Sequence, residues 1–399
     1  MIYYDLVSFQ TYISEIASAK LKGLFGSCNE FFITIGIFLS YFLGIDYKQS
    51  DGSYTSLKYW QTALVSAGIV VIFEVLMMFT YESPRWLFSK HQNKKAIRVL
   101  KALRGPNFHI KEEVEKIRAS FQGTLSVLER LKEFRRRSVL VPFLLSIMLM
   151  FYEGFSGVNP AIFYASHILH EAGLNKHEIN LIVTISIGLV QVIATLLSVF
   201  IVDYVGRKIL LTLSSIGIAL SCLVLGIYFY IYDNVCDGCL VGEPTCNVSN
   251  IHDFVHEHFP CNTTQFGYLA VVCIVVMIVS YSLGWGPVSL TYISELMPNS
   301  VRSLAGSFAL FAHWIFDFIT ALCFKYYSRP PIDNDGAWWT FSLIMFSAIF
   351  MVILFLPETK GHSLEEIQQH FEKGHIFALS CHSSCKVQPR SKDLYSSLK

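Results

Sequence analysis

The hydrophobic residues of this 399-residue chain run in long blocks instead of alternating with polar ones. Blocks about 20 residues long can each cross a ~30 Å hydrocarbon core as one helix. Such blocks fall at 24–44, 60–80, 140–164, 179–202, 209–232, 266–290, 303–326 and 337–356, with an apolar stub at 1–12. The pattern predicts eight spanning helices and an all-α polytopic membrane protein. It breaks over 82–138, where KKAIRVLKAL and KEEVEKIRASF read as short amphipathic helices. Polar segments also stand at 231–267 and 371–399, the latter expected to be a cytoplasmic tail.

Composition agrees with the pattern. The chain is 53% hydrophobic and 15% charged, with mean hydropathy +0.46, whereas a soluble domain carries about a quarter charged residues. A net charge of +1 leaves no bulk field for a nucleic-acid partner. No basic stretch or A-x-A-like site follows Met1, so no cleavable signal peptide is expected.

Charge asymmetry orients the helices. Residues 85–137 hold fifteen Lys and Arg, ending in Arg135-Arg136-Arg137, while 231–267 holds none. Lys and Arg concentrate on the cytoplasmic side, so 82–138 is expected inside and 231–267 outside. The outer segment carries the sequons Asn247-Val-Ser and Asn262-Thr-Thr, candidate glycosylation sites. It also carries Cys236, Cys239, Cys246 and Cys261, an even number with three possible pairings in an oxidising compartment. C-x2-C is also half a zinc site, but no second such pair follows at finger spacing. Cys381 and Cys385 in the tail offer at most a weak acylation signal.

The pentapeptide TYISE occurs at 11–15 and at 291–295, each time with a basic residue seven positions after its glutamate: Lys22 after Glu15, Arg302 after Glu295. Two apolar blocks follow each copy, closed by ESPRW at 82–86 and by PETKG at 357–361. Internal repeats of this kind mark transporters built from two similar halves around a midplane site. The second half has one further element, VDYVGRK at 202–208, whose counterpart would lie upstream of Met1. The chain is therefore expected to lack about the first three to four helices of a symmetric protein. On this reading 1–81 is a partial N-terminal bundle, 82–138 a cytoplasmic linker and 139–370 a six-helix C-terminal bundle.

These words, with FSGVNPAIFYAS, GWGPVSLTYISELMPNSVRS and LPETKG, run in order from 11 to about 370. They resemble the sugar porter branch of the major facilitator superfamily, the facilitative glucose transporter-like proteins. The resemblance implies a twelve-helix fold, of which this chain would supply the end of the fourth helix through the twelfth. It implies transport of a hexose or related polyhydroxylated solute by alternating access, and no cofactor. The plasma membrane is the expected location, with an endomembrane as the alternative.

Acid–base sets recur at the inner ends of the blocks: Glu15 with Lys22, Glu82 with Arg85, Asp203 with Arg207 and Lys208, Glu295 with Arg302, and Glu358 with Lys360. Isolated surface charges of this kind contribute little. Their repeated spacing points instead to a cytoplasmic gate that breaks when the halves rock apart. Lys22 stands where the family has arginine, losing the bidentate fork.

A sugar site needs polar groups within the spans, and such groups are costly in hydrocarbon. Candidates are Glu30, Glu153, Asn159, Gln191, His313, Trp314 and Asp317, with Gly157 and Pro160 breaking the third block and His313 and Asp317 sharing a helix face. A lone polar residue such as Gln191 is also often glue between helices.

Against the family pattern, paired glutamines fall on Glu153 and Gly154. The Asn-Trp-x-x-Asn word reads His313-Trp314-Ile315-Phe316-Asp317, Gly-Pro-Gly-Pro reads Gly284-Trp285-Gly286-Pro287, and a frequent tryptophan is Leu290. Glu30, Glu153 and Asp317 thus stand where a hexose porter has amides. A carboxylate away from water is costly when charged and can carry a proton instead. That raises proton coupling, or a substrate such as a polyol, against a structural His313–Asp317 pair with no transport role. A competing reading of the whole chain is a non-transporting isoform, sensor or partner of full-length carriers. No nucleophile–base set, metal cluster or phosphate loop suggests an enzyme.

Overall fold

The structure is a computed structural model that describes residues 12, 16, 22–44, 47–48, 54–55, 59–105, 110–111, 114–115, 117, 127–172, 177–231, 263–298, 301–327, 333–359 and 371–372. The sequons and cysteines of 231–267, Glu15, Lys360 and nearly all of the tail lie outside the described residues, as do the side chains of Lys22 and Asp203.

Every predicted block is helical. α1 is Lys22–Leu43 and α2 is Tyr59–Met78, joined through a two-residue antiparallel pair, β1 Tyr47–Lys48 with β2 Tyr54–Thr55. α3 (Pro84–Ser89), α4 (Asn93–Arg104) and α5 (Val127–Glu133) follow in the basic segment. The third block is split into α6 (Arg137–Gly154), α7 (Val158–Phe163) and α8 (Ala165–Glu171). α9 (His177–Val205) and α10 (Arg207–Ile231) are continuous, whereas the sixth block is split into α11 (Thr263–Leu283) and α12 (Trp285–Leu296). α13 (Arg302–Tyr327) and α14 (Asp333–Phe355) complete the fold. Among the described residues seven helical stretches are long and apolar enough to cross a membrane, and α1, 22 residues long, is the eighth block.

α10 lies along α14 and α11, α9 along α1 and α11, and α6 along α13. Their shared core includes Leu149, Met150, Ile218, Cys222, Phe229, Met277, Trp285, Tyr292, Trp338 and Met345, all buried. Large apolar side chains such as Leu196, Leu197 and Phe200 on α9 face outward, as they would toward hydrocarbon and not toward water. α2 is exposed along its whole apolar length. The basic segment has a separate small core of Leu87, Phe88, Ala96, Leu100, Val114 and Ile117. There Ser83 caps α3, its hydroxyl accepting from Trp86 N at 3.3 Å with Pro84 at the first helical position.

Two of these breaks, before α7 and before α12, have identifiable causes. Gly157 sits at φ +81°, a left-handed conformation that glycine adopts without strain. A Cβ there would come within 2.6 Å of the Phe341 ring. In the other split, Gly284 N turns back to Tyr281 O at 3.1 Å, which frees the Ser280 carbonyl. Pro287 has no N–H for the Leu283 carbonyl. Serines of neighbouring helices take both orphans: Ser214 Oγ donates to Ser280 O at 2.6 Å and Ser198 Oγ to Leu283 O at 2.9 Å. Hydrocarbon offers no water to do so.

Replacing Gly157 with alanine should therefore lower stability in detergent by about 1–3 kcal/mol, from left-handed strain plus overpacking on Phe341. Gly306→Ala in α13 is the matched control, because nothing lies within 4 Å of its Cβ position. A helical glycine with that room should gain up to about 1 kcal/mol on the same change. Melting curves of both variants check the contrast.

Candidate functional site

Two polar constellations stand out, one beside the helix breaks and one at the basic end of the bundle.

At the breaks, Glu153 occupies the last turn of α6 and is 4% exposed. Tyr281, on the last turn of α11, donates its hydroxyl to Glu153 Oε1 at 3.2 Å. Glu30 reaches this place from α1: its Oε1 lies 3.2 Å from where a Cβ on Gly286 would stand, and the Tyr281 ring is equally close. From α13, His313 Nε2 is 3.4 Å from Asp317 Oδ2, the one-turn pairing expected from the sequence. Gly154, in a glutamine position of the family pattern, leaves room for this helix. A Cβ there would lie 2.7 Å from Phe316 Cβ and 3.1 Å from Asp317 Oδ1.

Glu30 and Asp317 are both near enough for their charges to act on Glu153. Asn159 stands beside Asp317, and Ser289 beside Glu153. Trp314 packs edge-on against His313 at 5.2 Å. The structure thus brings together Glu30, Glu153, Asn159, His313 and Asp317, while Trp314 is placed only by its contact with the adjacent His313. Gln191 is buried on α9, one turn from Gly188, where α1 packs through Tyr41, and no described contact joins it to the carboxylates. Glu153 Oε2, Asp317 Oδ1 and Gln191 Oε1 are buried without a hydrogen bond of their own among the described residues. Sequence reading missed Tyr281 and Ser289. Their only signal was position, just before Gly284 and just after Pro287.

At the basic end, Glu295 near the end of α12 takes Arg207 Nη2 at 3.2 Å and the Thr359 hydroxyl at 2.6 Å. Glu358 receives the backbone N–H of Arg207 at 3.3 Å and of Lys208 at 3.2 Å, so its carboxylate caps the start of α10. Gly206, at φ +102°, lets the carboxylate approach, since a Cβ there would be 3.1 Å from Glu358 Oε2. Lys208 Nζ reaches Ile353 O at 2.8 Å.

Arg302, expected to pair with Glu295, directs Nε and Nη2 to Met297 O at 3.3 and 3.2 Å instead. It still lies within electrostatic reach of Glu295 and of Arg85. The turn from Pro298 to Arg302 folds the arginine back onto its own linker, leaving Glu295 to the α10 arginine. Glu82 and Arg85 are exposed at this end.

The family described as Sugar (and other) transporter matches residues 7–371. The chain belongs to that family. It is 31% identical over 369 residues to the facilitated trehalose transporter Tret1 of Bombyx mori, covering 92% of this chain and 66% of that protein. It is 31% identical over 363 residues to the sugar transporter ERD6-like 6 of Arabidopsis thaliana, covering 90% and 67%. Against Tret1 of Drosophila willistoni the chain spans 38% of the relative's length. Among solved structures, the proton:xylose symporter XylE bound to 6-bromo-6-deoxy-D-glucose superposes with a TM-score of 0.67 at 24% identity, covering 91% of this chain and 70% of that one. This likeness establishes the major facilitator fold for this sugar transporter family member.

In this family member Glu358 holds two otherwise orphaned N–H groups. Glu358→Ala should cost about 1–2 kcal/mol, the scale of a lost helix cap. Glu358→Gln keeps an acceptor oxygen and should cost less. Chemical or thermal unfolding of the purified protein distinguishes the two.

Proposed function

We propose that this chain carries a hexose or related polyhydroxylated solute across a membrane by alternating access. The observation that supports it best is the convergence of Glu30, Glu153, Asn159, His313 and Asp317 where two spanning helices break, with Trp314 next to His313 as the expected aromatic. A ring rich in hydroxyls needs such a mixture of acceptors, an amide and an aromatic platform. Buried acceptor oxygens without partners in the chain are what a sugar hydroxyl would satisfy. The relatives' names, trehalose and sugar transporters, agree with the substrate class.

In this reading the basic-end cluster of Glu295, Arg207, Lys208, Glu358 and Thr359 stiffens the inner side of the second half. Arg302 and Arg85, close to each other across the repeat, are gate residues of the two halves, with Glu82, Glu15, Lys22 and Asp203 as their expected companions.

Proton coupling is the refinement favoured by one specific feature, the approach of three carboxylates where hexose porters carry amides. A carboxylate cluster away from water supplies the exchangeable proton that a symport cycle requires.

The test is uptake of radiolabelled hexoses and polyols by the purified chain in liposomes. Saturable uptake supports carriage, and background uptake favours the non-transporting alternative. Glu153→Ala should raise KM by about 10- to 100-fold, the cost of a lost hydrogen bond to a charged group. If transport is coupled, an inward proton gradient accelerates uptake and Asp317→Asn removes the acceleration. Uptake indifferent to the gradient rules coupling out.

A further inference from the structure

The repeated word TYISE makes the same hydrogen bond in both of its copies. Tyr292, fully buried in α12, donates its hydroxyl to the backbone carbonyl of Pro357. Tyr12, the same letter of the first copy, donates its hydroxyl to the carbonyl of Tyr81 at 2.5 Å. The two acceptors are equivalent: Pro357 immediately precedes Glu358-Thr359, and Tyr81 immediately precedes Glu82-Ser83. Both carbonyls lie just beyond a spanning helix, α14 or α2, where no further helical N–H can serve them. The Tyr292 hydroxyl, shielded from water, equally needs a partner, so its bond satisfies two groups at once, whereas the Tyr12 bond is exposed and serves the Tyr81 carbonyl alone.

The residues immediately after each carbonyl carry the contacts of their half. Glu358 accepts from the first two N–H groups of α10, and Thr359 Oγ1 donates to Glu295, which in turn holds Arg207. Tyr292 fixes the peptide one residue before all of these contacts. In the first copy the residue after Glu82 is Ser83, the cap of α3 and so of the first helix of the basic segment.

We propose that Tyr12 and Tyr292 are matched positioning residues. Each hydroxyl holds the peptide ahead of its half's acidic motif, so that the motif keeps its contacts as the halves change orientation. The proposal rests on the transport reading for its purpose, but the latch itself rests on the two bonds.

The deciding variants are Tyr292→Phe and Tyr12→Phe, each of which removes one oxygen and keeps the ring. Neither hydroxyl lies in the carboxylate site, so KM for the transported sugar should stay within about twofold. Maximal uptake should fall by about tenfold for Tyr292→Phe, the scale of one buried hydrogen bond. Tyr12→Phe should move it the same way.

The positioning role is read from a double-mutant cycle of Tyr292→Phe with Glu358→Gln. If the hydroxyl acts through the carboxylate, the double variant loses little more than the worse single one. The cycle is also measured on melting temperature in detergent, which does not require transport. Non-additive melting shifts with no wild-type uptake would sink the transport reading and leave the latch standing. Fully additive shifts in both measurements, or turnover unchanged in both tyrosine variants beside normal wild-type uptake, would overturn the inference.

Discussion

Hydrocarbon supplies no hydrogen bonds, and the breaks before α7 and α12 are organised around that constraint. A spanning helix satisfies its own backbone, so a break within it exposes carbonyls that a neighbouring helix must serve. At the α11–α12 break, Ser214 and Ser198 take the carbonyls of Ser280 and Leu283. At the α6–α7 break, Pro160 has no N–H for Ser156 O, and the Cys222 thiol lies 4.0 Å from that carbonyl. At those heights α9 and α10 present the side chains of Ser198, Ser214 and Cys222 to the freed carbonyls. Those helices therefore help determine where a polar site can exist.

The same constraint explains why the two polar constellations differ in character. At the basic end Arg207 meets Glu295, and Glu358 meets the positive start of α10, so both carboxylates have a compensating partner. Deeper in the bundle, Glu153 is served by the Tyr281 hydroxyl and Asp317 by one imidazole, with Glu30 close by, and Glu153 Oε2 and Asp317 Oδ1 are left over. On the proposed reading, spare acceptors suit a ligand that brings donors. An end with matched charges is suited to holding a shape.

Much of this was legible along the chain. Seven of the eight expected spans follow from hydropathy among the described residues, because spanning a bilayer is a local demand on about twenty consecutive residues. The break near Gly157 and Pro160 and the His313–Asp317 pairing are likewise local, set by residue type and by the helical period. The pairing of Glu295 was not legible. Its sequence neighbour Arg302 folds back to Met297 O, while Arg207, far away in the chain, takes its place. Tyr281 and Thr359 also escaped notice, since neither is unusual in type or spacing.

The sequence by itself determined the class of protein, the family and the internal repeat, because each is written in composition or in short words. Only the tertiary structure decided that the second-copy tyrosine and its glutamate serve different partners, Pro357 and Arg207. It also decided that Gly154 and Gly286 make room for the carboxylates of Asp317 and Glu30. Those contacts depend on how far apart helix axes settle and on which face each helix turns inward. That is a property of packing among distant segments, and no local pattern encodes it.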